Sequence, residues 1–173
     1  MALKGDRYEG ATDISFFATA TATRGGVVSM STSGSGVALD QGDAVVAYAA
    51  DASGKIPLGV LLNDVVDIDQ TRQHINFHKN EVQKGGKVTV LTQGWVVTNS
   101  VTAVGTITAG TPAYLGANGN ITDQQAGGAA GQGTYGKNLD NAPVGTFLSK
   151  ADEDSYYKVA INLPNPNVSH ASA

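Results

Sequence analysis

The chain has 173 residues, of which 15% are charged, 6% are aromatic and 22 are glycine, and its formal net charge is −4. This length predicts one domain with a sizeable core, and the acidic balance provides no basic surface for phosphate backbones, so we expect no nucleic-acid partner. The sequence contains no cysteine, which excludes disulfides, thiolate nucleophiles and zinc–cysteine sites.

The first 25 residues are predicted to form an extended N-terminal arm and a first strand. Residues 1–13 are polar and lack a turn-bounded strand pattern, so we interpret them as the arm, with the first strand candidate at residues 14–21. Charges in MALKGDRYEGATD stand where a signal peptide needs an apolar core, and no later run approaches the roughly 20 apolar residues of a membrane span. We therefore expect neither secretion through a signal peptide nor a membrane partner.

Residues 26–163 are predicted to form an all-β domain, a compact β-barrel or a β-tulip or sandwich of short strands. Helix signals are nearly missing, because apolar residues do not recur at spacings of three and four. In 87–99, Gly94 separates two β-rich runs and predicts a bulge or bend beside Trp95. The other strand candidates are 27–30, 44–49, 58–63, 73–78, 142–148 and 156–163. Residues 164–173, with two prolines, are expected to form a flexible polar tail.

A weak internal repeat predicts the turns that connect strands of the domain. The stretch GDAVVAYAADASGKIPLGVLL from Gly42 resembles GTPAYLGANGNIT from Gly110, which continues after an insertion as APVGTFL. Each copy has a strand containing a tyrosine, a turn glycine, and a later strand glycine that lets a neighbouring backbone or side chain approach closely. We expect Asn118 and Gly119 to form the hairpin turn that sets strand register. The glycines with predicted structural roles are Gly54, Gly59, Gly94, Gly119 and Gly145.

One motif has the spacing of a phosphate-binding loop but lacks its context. GQGTYGKN, at residues 131–138, matches G-x-x-x-x-G-K, yet Asn138 stands where such a loop needs a hydroxyl for Mg²⁺. Pro143 follows too closely for the required helix. We predict a surface loop here rather than a nucleotide site.

No other motif predicts a cofactor, a metal site or a catalytic residue. His74 and His78 share one face if their segment is a strand, but two imidazoles supply only half of a zinc site. Asp67 and Asp69 lack the surrounding calcium-loop pattern. The serine run at 31–36 lacks nucleophile-elbow spacing, so we expect no enzyme activity.

The order of several weak motifs resembles the capsid cement, or head decoration, proteins of tailed bacteriophages. These motifs are the 27–65 region containing PLGVLL, then GGKVTVLTQGWVVTN, TAGTPAYLGANGNIT, APVGTFLS and YYKVAINLP. The resemblance spans residues 27–163, and versions from phages of cyanobacteria are the most similar. It implies a small β-domain, usually a homotrimer, seated on the outer capsid where major capsid proteins meet. There it would hold the shell against internal DNA pressure without catalysis.

The N-terminal arm is the expected capsid-contacting element. Tyr8, Phe16 and Phe17 are apolar residues in a polar setting, as anchors that become buried on assembly would be. Two alternatives remain open at this point: a tail or baseplate β-domain, and a carbohydrate-binding module for host attachment. The single tryptophan and scattered tyrosines favour packing over a sugar platform.

Overall fold

The computed structural model describes residues 2–34, 36, 44–64, 81–125 and 141–163, and these residues form twelve β-strands. A short 3₁₀ segment, Ala117–Gly119, joins two of the strands. The strands are β1 Leu3–Ala18, β2 Ala22–Thr23, β3 Val27–Met30, β4 Val45–Ala47, β5 Pro57–Asp64, β6 Glu81–Val82, β7 Lys87–Thr98, β8 Val101–Thr102, β9 Pro112–Leu115, β10 Ile121–Thr122, β11 Pro143–Phe147 and β12 Tyr157–Asn162.

Five of the strands close into a small barrel. Their order is β1-β4-β3-β5-β7, and β7 pairs again with β1 along nearly its whole length. Phe17 pairs with Val45 of β4 and with Lys87 of β7, so these two strands flank opposite edges of β1. Closure of this kind removes most free strand edges, which otherwise promote aggregation.

The long strand β7 connects the barrel to a second group of strands. Its first half pairs with β5, and its second half pairs with β12 from Gln93 to Thr98. The sheet then continues in the order β12-β11-β9-β10-β8, and β2 pairs separately with β6. Because β7 pairs along both edges, it holds the two groups of strands in one fold.

Two apolar clusters lie on opposite faces of the shared strands. Consecutive strand residues point to opposite faces, so Val60 contributes to one cluster and Leu61 to the other. A strand buried on both faces needs a continuous apolar run rather than alternation, which accounts for the VLL of β5. The barrel cluster comprises Ala18, Val28, Val46, Leu61, Val82, Val88 and Val90. The larger cluster includes Phe147, whose ring meets that of Tyr157 edge-on at 5.7 Å.

The prediction of an all-β fold is confirmed, and the predicted strand at 27–30 matches β3. Strands β4, β5, β7, β11 and β12 lie within one or two residues of their predicted bounds. The expected strand at 73–78 lies outside the described residues. So do the 131–138 loop, the tail and the residues His74, His78, Asp67 and Asp69.

Two expectations about the first strand and about Gly94 need correction. The first strand starts at Leu3 rather than at residue 14, so the extended N-terminal segment is part of the sheet. Strand β7 runs through Gly94 without interruption; the register shifts nearby leave Gly10 of β1 and Thr92 of β7 as extra residues, so the bulge in β7 lies two residues before Gly94. Bulges in β1 break the two-residue alternation, which hides the strand in the sequence.

Candidate functional site

The predicted strand glycines lie where another backbone crosses at close range. A β-carbon on Gly59 would lie 2.2 Å from the carbonyl oxygen of Leu91, and one on Gly145 would lie 1.8 Å from that of Ala160. On Gly94 it would lie 1.9 Å from the carbonyl oxygen of Tyr8. No larger residue fits at these distances without a shift of the backbone.

The two turn glycines adopt left-handed backbone conformations. Gly54, between β4 and β5, has a φ of 67°. Asn118 and Gly119 have φ values of 56° and 74°, and the Asn120 amide donates to the Ala117 carbonyl at 3.1 Å. The φ values are those of the two central residues of a type I′ turn. The Gly116 amide donates to the Asn120 carbonyl at 2.7 Å, and Leu115 pairs with Ile121 where the strands begin.

Tyr48 joins the barrel to that hairpin. Its hydroxyl donates to the Thr23 carbonyl at 2.5 Å and accepts from the Gly26 amide at 3.1 Å. Its ring lies against Gly119, where a β-carbon would be 2.3 Å from Cδ1. Burial raises the pKa of the Tyr48 hydroxyl far above its ordinary value, and the hydrogen bond from Gly26 opposes this only in part. Tyr48 is therefore a neutral structural clamp rather than an acid or base.

The three predicted contact residues have different environments. Tyr8 is 59% exposed, whereas Phe16 packs against the barrel cluster. Phe17 is only 8% exposed, and the Lys87 ammonium lies 6.0 Å from its ring centroid. Of the three, Tyr8 has the exposure that a contact with another molecule requires.

Tyr8 belongs to a surface patch of aromatic and charged side chains. It pairs with Trp95 across β1 and β7, and the Lys158 ammonium lies 3.4 Å from the Trp95 ring centroid. Lys4 lies 4.3 Å from the Tyr156 ring centroid and bonds Asp152 at 2.6 Å. We call Lys4, Tyr8, Trp95, Tyr156 and Lys158 the aromatic patch. Because Lys158 covers Trp95, the indole is not an open stacking surface for a sugar.

Sequence reasoning missed the cationic members of this patch. Lys158 could have been placed from the strand alternation, since it is polar between inward-facing Tyr157 and Val159. The Lys4–Asp152 pair joins residues 148 positions apart and leaves no local signal.

The carboxylates of Asp123 and Asp152 hold nearby turns by accepting hydrogen bonds from backbone amides. Burial opposes ionisation of Asp123, but the amides of Val104 and Gly105 donate to it at 2.8 Å each and lower its pKa overall. The hydrogen bond from Lys4 lowers the pKa of Asp152, aided by the amides of Tyr156 and Asp154. Hydrogen bonds that favour the charged form explain both directions.

A cavity of about 160 Å³ opens at one end of the barrel. Its walls are mainly apolar and include Ala18, Ala22, Val28, Val46 and Leu61, and its one phenol, Tyr48, is engaged as described above. Thr21 supplies the other hydroxyl of the lining, and no carboxylate or imidazole lies among the described lining residues. Within the described ranges, no three His, Asp or Glu side chains are grouped so that they could hold a metal ion. No helix among the described residues is long and apolar enough to cross a membrane.

In the part of the chain that the structure describes, side-chain hydroxyls and carboxylates hold turns and join neighbouring strands of an all-β protein. The sequence matches the family described as structural cement protein (E217 gp24/Pam3 gp6) over residues 5–162, and the chain belongs to this family of phage proteins. It is therefore a structural, stabilising component of the virion capsid. No curated protein matches the chain.

Proposed function

We propose that the chain binds the outer surface of the phage head and cements adjacent major capsid proteins against the pressure of packaged DNA. The proposal rests on the exposure of Tyr8. This side chain is 59% exposed, although it belongs to a strand that is hydrogen-bonded to β7. A tyrosine held on a rigid strand loses little conformational entropy when a partner covers it.

The aromatic patch gives this contact its chemical character. Rings held under lysine side chains, with the exposed Tyr8 ring beside them, suit a partner surface that offers apolar side chains. Each contact is modest, but many copies bound to one shell act together through effective concentration. A homotrimer would present three such patches, and we include this oligomeric state in the proposal.

Heads that lack the protein provide the test. Adding the purified chain should raise the temperature at which heads release their DNA, and Tyr8→Ser should weaken binding to the heads. Ile56→Ser, at another apolar residue that is 52% exposed, is the matched control and should bind like the wild type. Equal binding by all three proteins would rule out the Tyr8 contact, and no binding by the wild type would refute the proposal itself.

A further inference from the structure

The outer edge of β1 is a long strand edge that the barrel does not use. Strand β4 pairs with β1 only at Phe17 and Ala18, while β7 occupies the opposite edge from Leu3 onward. Among the described residues, no strand pairs with the outer edge between Gly5 and Ile14. Ten residues of strand extend roughly 33 Å, which is long enough for several backbone hydrogen bonds with a partner.

Strand edges of this length are normally protected, and β1 carries bulges and charged side chains. Its register against β7 shifts at four points, one of them at Gly10, and the Ser15 amide donates to the Asp13 side chain at 2.7 Å. No proline lies between Gly5 and Ser15. Bulges and charges oppose pairing with a flat, uncharged strand, but they allow a segment of matching shape and charge to add as one more strand.

The charges along this edge indicate which strand would be accepted. Residues 5–15 carry three carboxylates, those of Asp6, Glu9 and Asp13, and one guanidinium, that of Arg7. The guanidinium is bonded to Glu9 at 2.5 Å. A segment that carries lysine or arginine is therefore favoured by charge complementarity. A second copy of the same edge would bring an excess of like charges together, which is destabilising between paired strands.

We propose that the outer edge of β1 binds an extended, basic segment of a capsid subunit by strand addition. This inference rests on the proposed function and specifies how the head is held. Backbone hydrogen bonds fix the position of the segment, and the acidic side chains of β1 select its charge. The aromatic patch, through Tyr8 on the same strand, then adds side-chain contacts beside the new strand.

Hydrogen exchange distinguishes strand addition from contact through side chains alone. Amides of β1 that donate no hydrogen bond to β7 should exchange quickly in the free protein, whereas those bonded to β7 should exchange slowly. When the protein binds to heads that lack it, the unbonded amides between Gly5 and Ile14 should exchange roughly a hundredfold more slowly. The amides already bonded to β7 should change little.

Three other results would overturn the inference. One is binding to heads with no new protection in β1, which would leave the proposed function intact. Another is protection of the same amides in the free protein that increases with its concentration, which would identify a second copy as the occupant. The third is an equal gain of protection by the amides that were bonded to β7 and by those that were not, which indicates a face covered by side chains.

A pair of charge reversals tests the chemistry of the segment. Asp6→Lys should weaken head binding by roughly threefold to tenfold at low salt, with less effect at high salt. Asp51→Lys makes the same charge change in the exposed loop between β4 and β5 and should bind as the wild type does. Equal effects of the two variants would show that net charge, not the β1 edge, controls binding.

Discussion

At the scale of single residues, the fold depends on glycines that lie against the backbone of a neighbouring strand, where a β-carbon would not fit. Gly145→Ala would place a β-carbon 1.8 Å from the Ala160 carbonyl oxygen, so β11 and β12 would have to separate. We expect a loss of roughly 1–3 kcal/mol in the free energy of unfolding, measured in urea. Gly5→Ala is the control, because nothing lies within 4 Å of its added carbon. Equal stability of the two variants would contradict this reading of β11 and β12.

The buried hydroxyl of Tyr48 should make stability fall at alkaline pH. Its pKa is raised in the folded state, so its contribution is full below pH about 10, the ordinary tyrosine value, and is lost as the pH rises above it. Tyr48→Phe should cost roughly 1–2 kcal/mol at neutral pH, because the Thr23 carbonyl and the Gly26 amide lose their partner. Urea unfolding between pH 8 and 11 should show a shallower decline for the variant than for the wild type. Parallel declines would exclude Tyr48 as the source.

The structural roles of Gly59 and Gly145 could be predicted from the sequence, because glycine within a β-rich run usually marks a bulge or the close approach of another backbone. It could not identify the hydrogen bonds of Tyr48. Their partners are 22 and 25 residues away and are backbone groups, which carry no residue-specific signal.

At the scale of elements, β1 is the strand whose role changed most between sequence and structure. An unpaired arm could be deleted without harm to the folded domain, but residues 3–13 of β1 pair with β7 from Val90 to Thr98. Its Leu3 is 1% exposed and lies in the larger apolar cluster. The polar composition of residues 4–13 reflects their exposure beside β7, not a lack of pairing.

Deleting residues 2–13 should therefore destabilise the whole protein. We expect a loss of roughly 3 kcal/mol or more, since burial of Leu3 alone is of this order and the ladder to β7 is also removed. The midpoint of urea unfolding is the measurement, and an unchanged midpoint would restore the interpretation of these residues as an arm. Capsid contacts are better tested with Tyr8→Ser, which keeps the strand.

At the scale of the whole molecule, two apolar clusters lie on opposite faces of β3, β5 and β7, and these strands belong to both. The all-β class of fold could be predicted, because short β-rich runs separated by glycines are typical of β-sandwiches and β-barrels. Barrel closure could not, because β1 and β7 pair across 70 to 95 positions of sequence with several register shifts.

The proposal includes a homotrimer. We expect light scattering to give three times the 17.6 kDa chain mass, as for a homotrimer that presents three aromatic patches. A monomer that bound glycans in an array screen would contradict this and favour host attachment.

The most direct test of the central claim is a density map of the phage head at a resolution that traces the chain. We predict this barrel on the outer surface, with β1 and Tyr8 against the shell and each copy spanning neighbouring capsid subunits. A chain found in the tail or baseplate, or one on the head that touches a single capsid subunit through another face, would contradict the account.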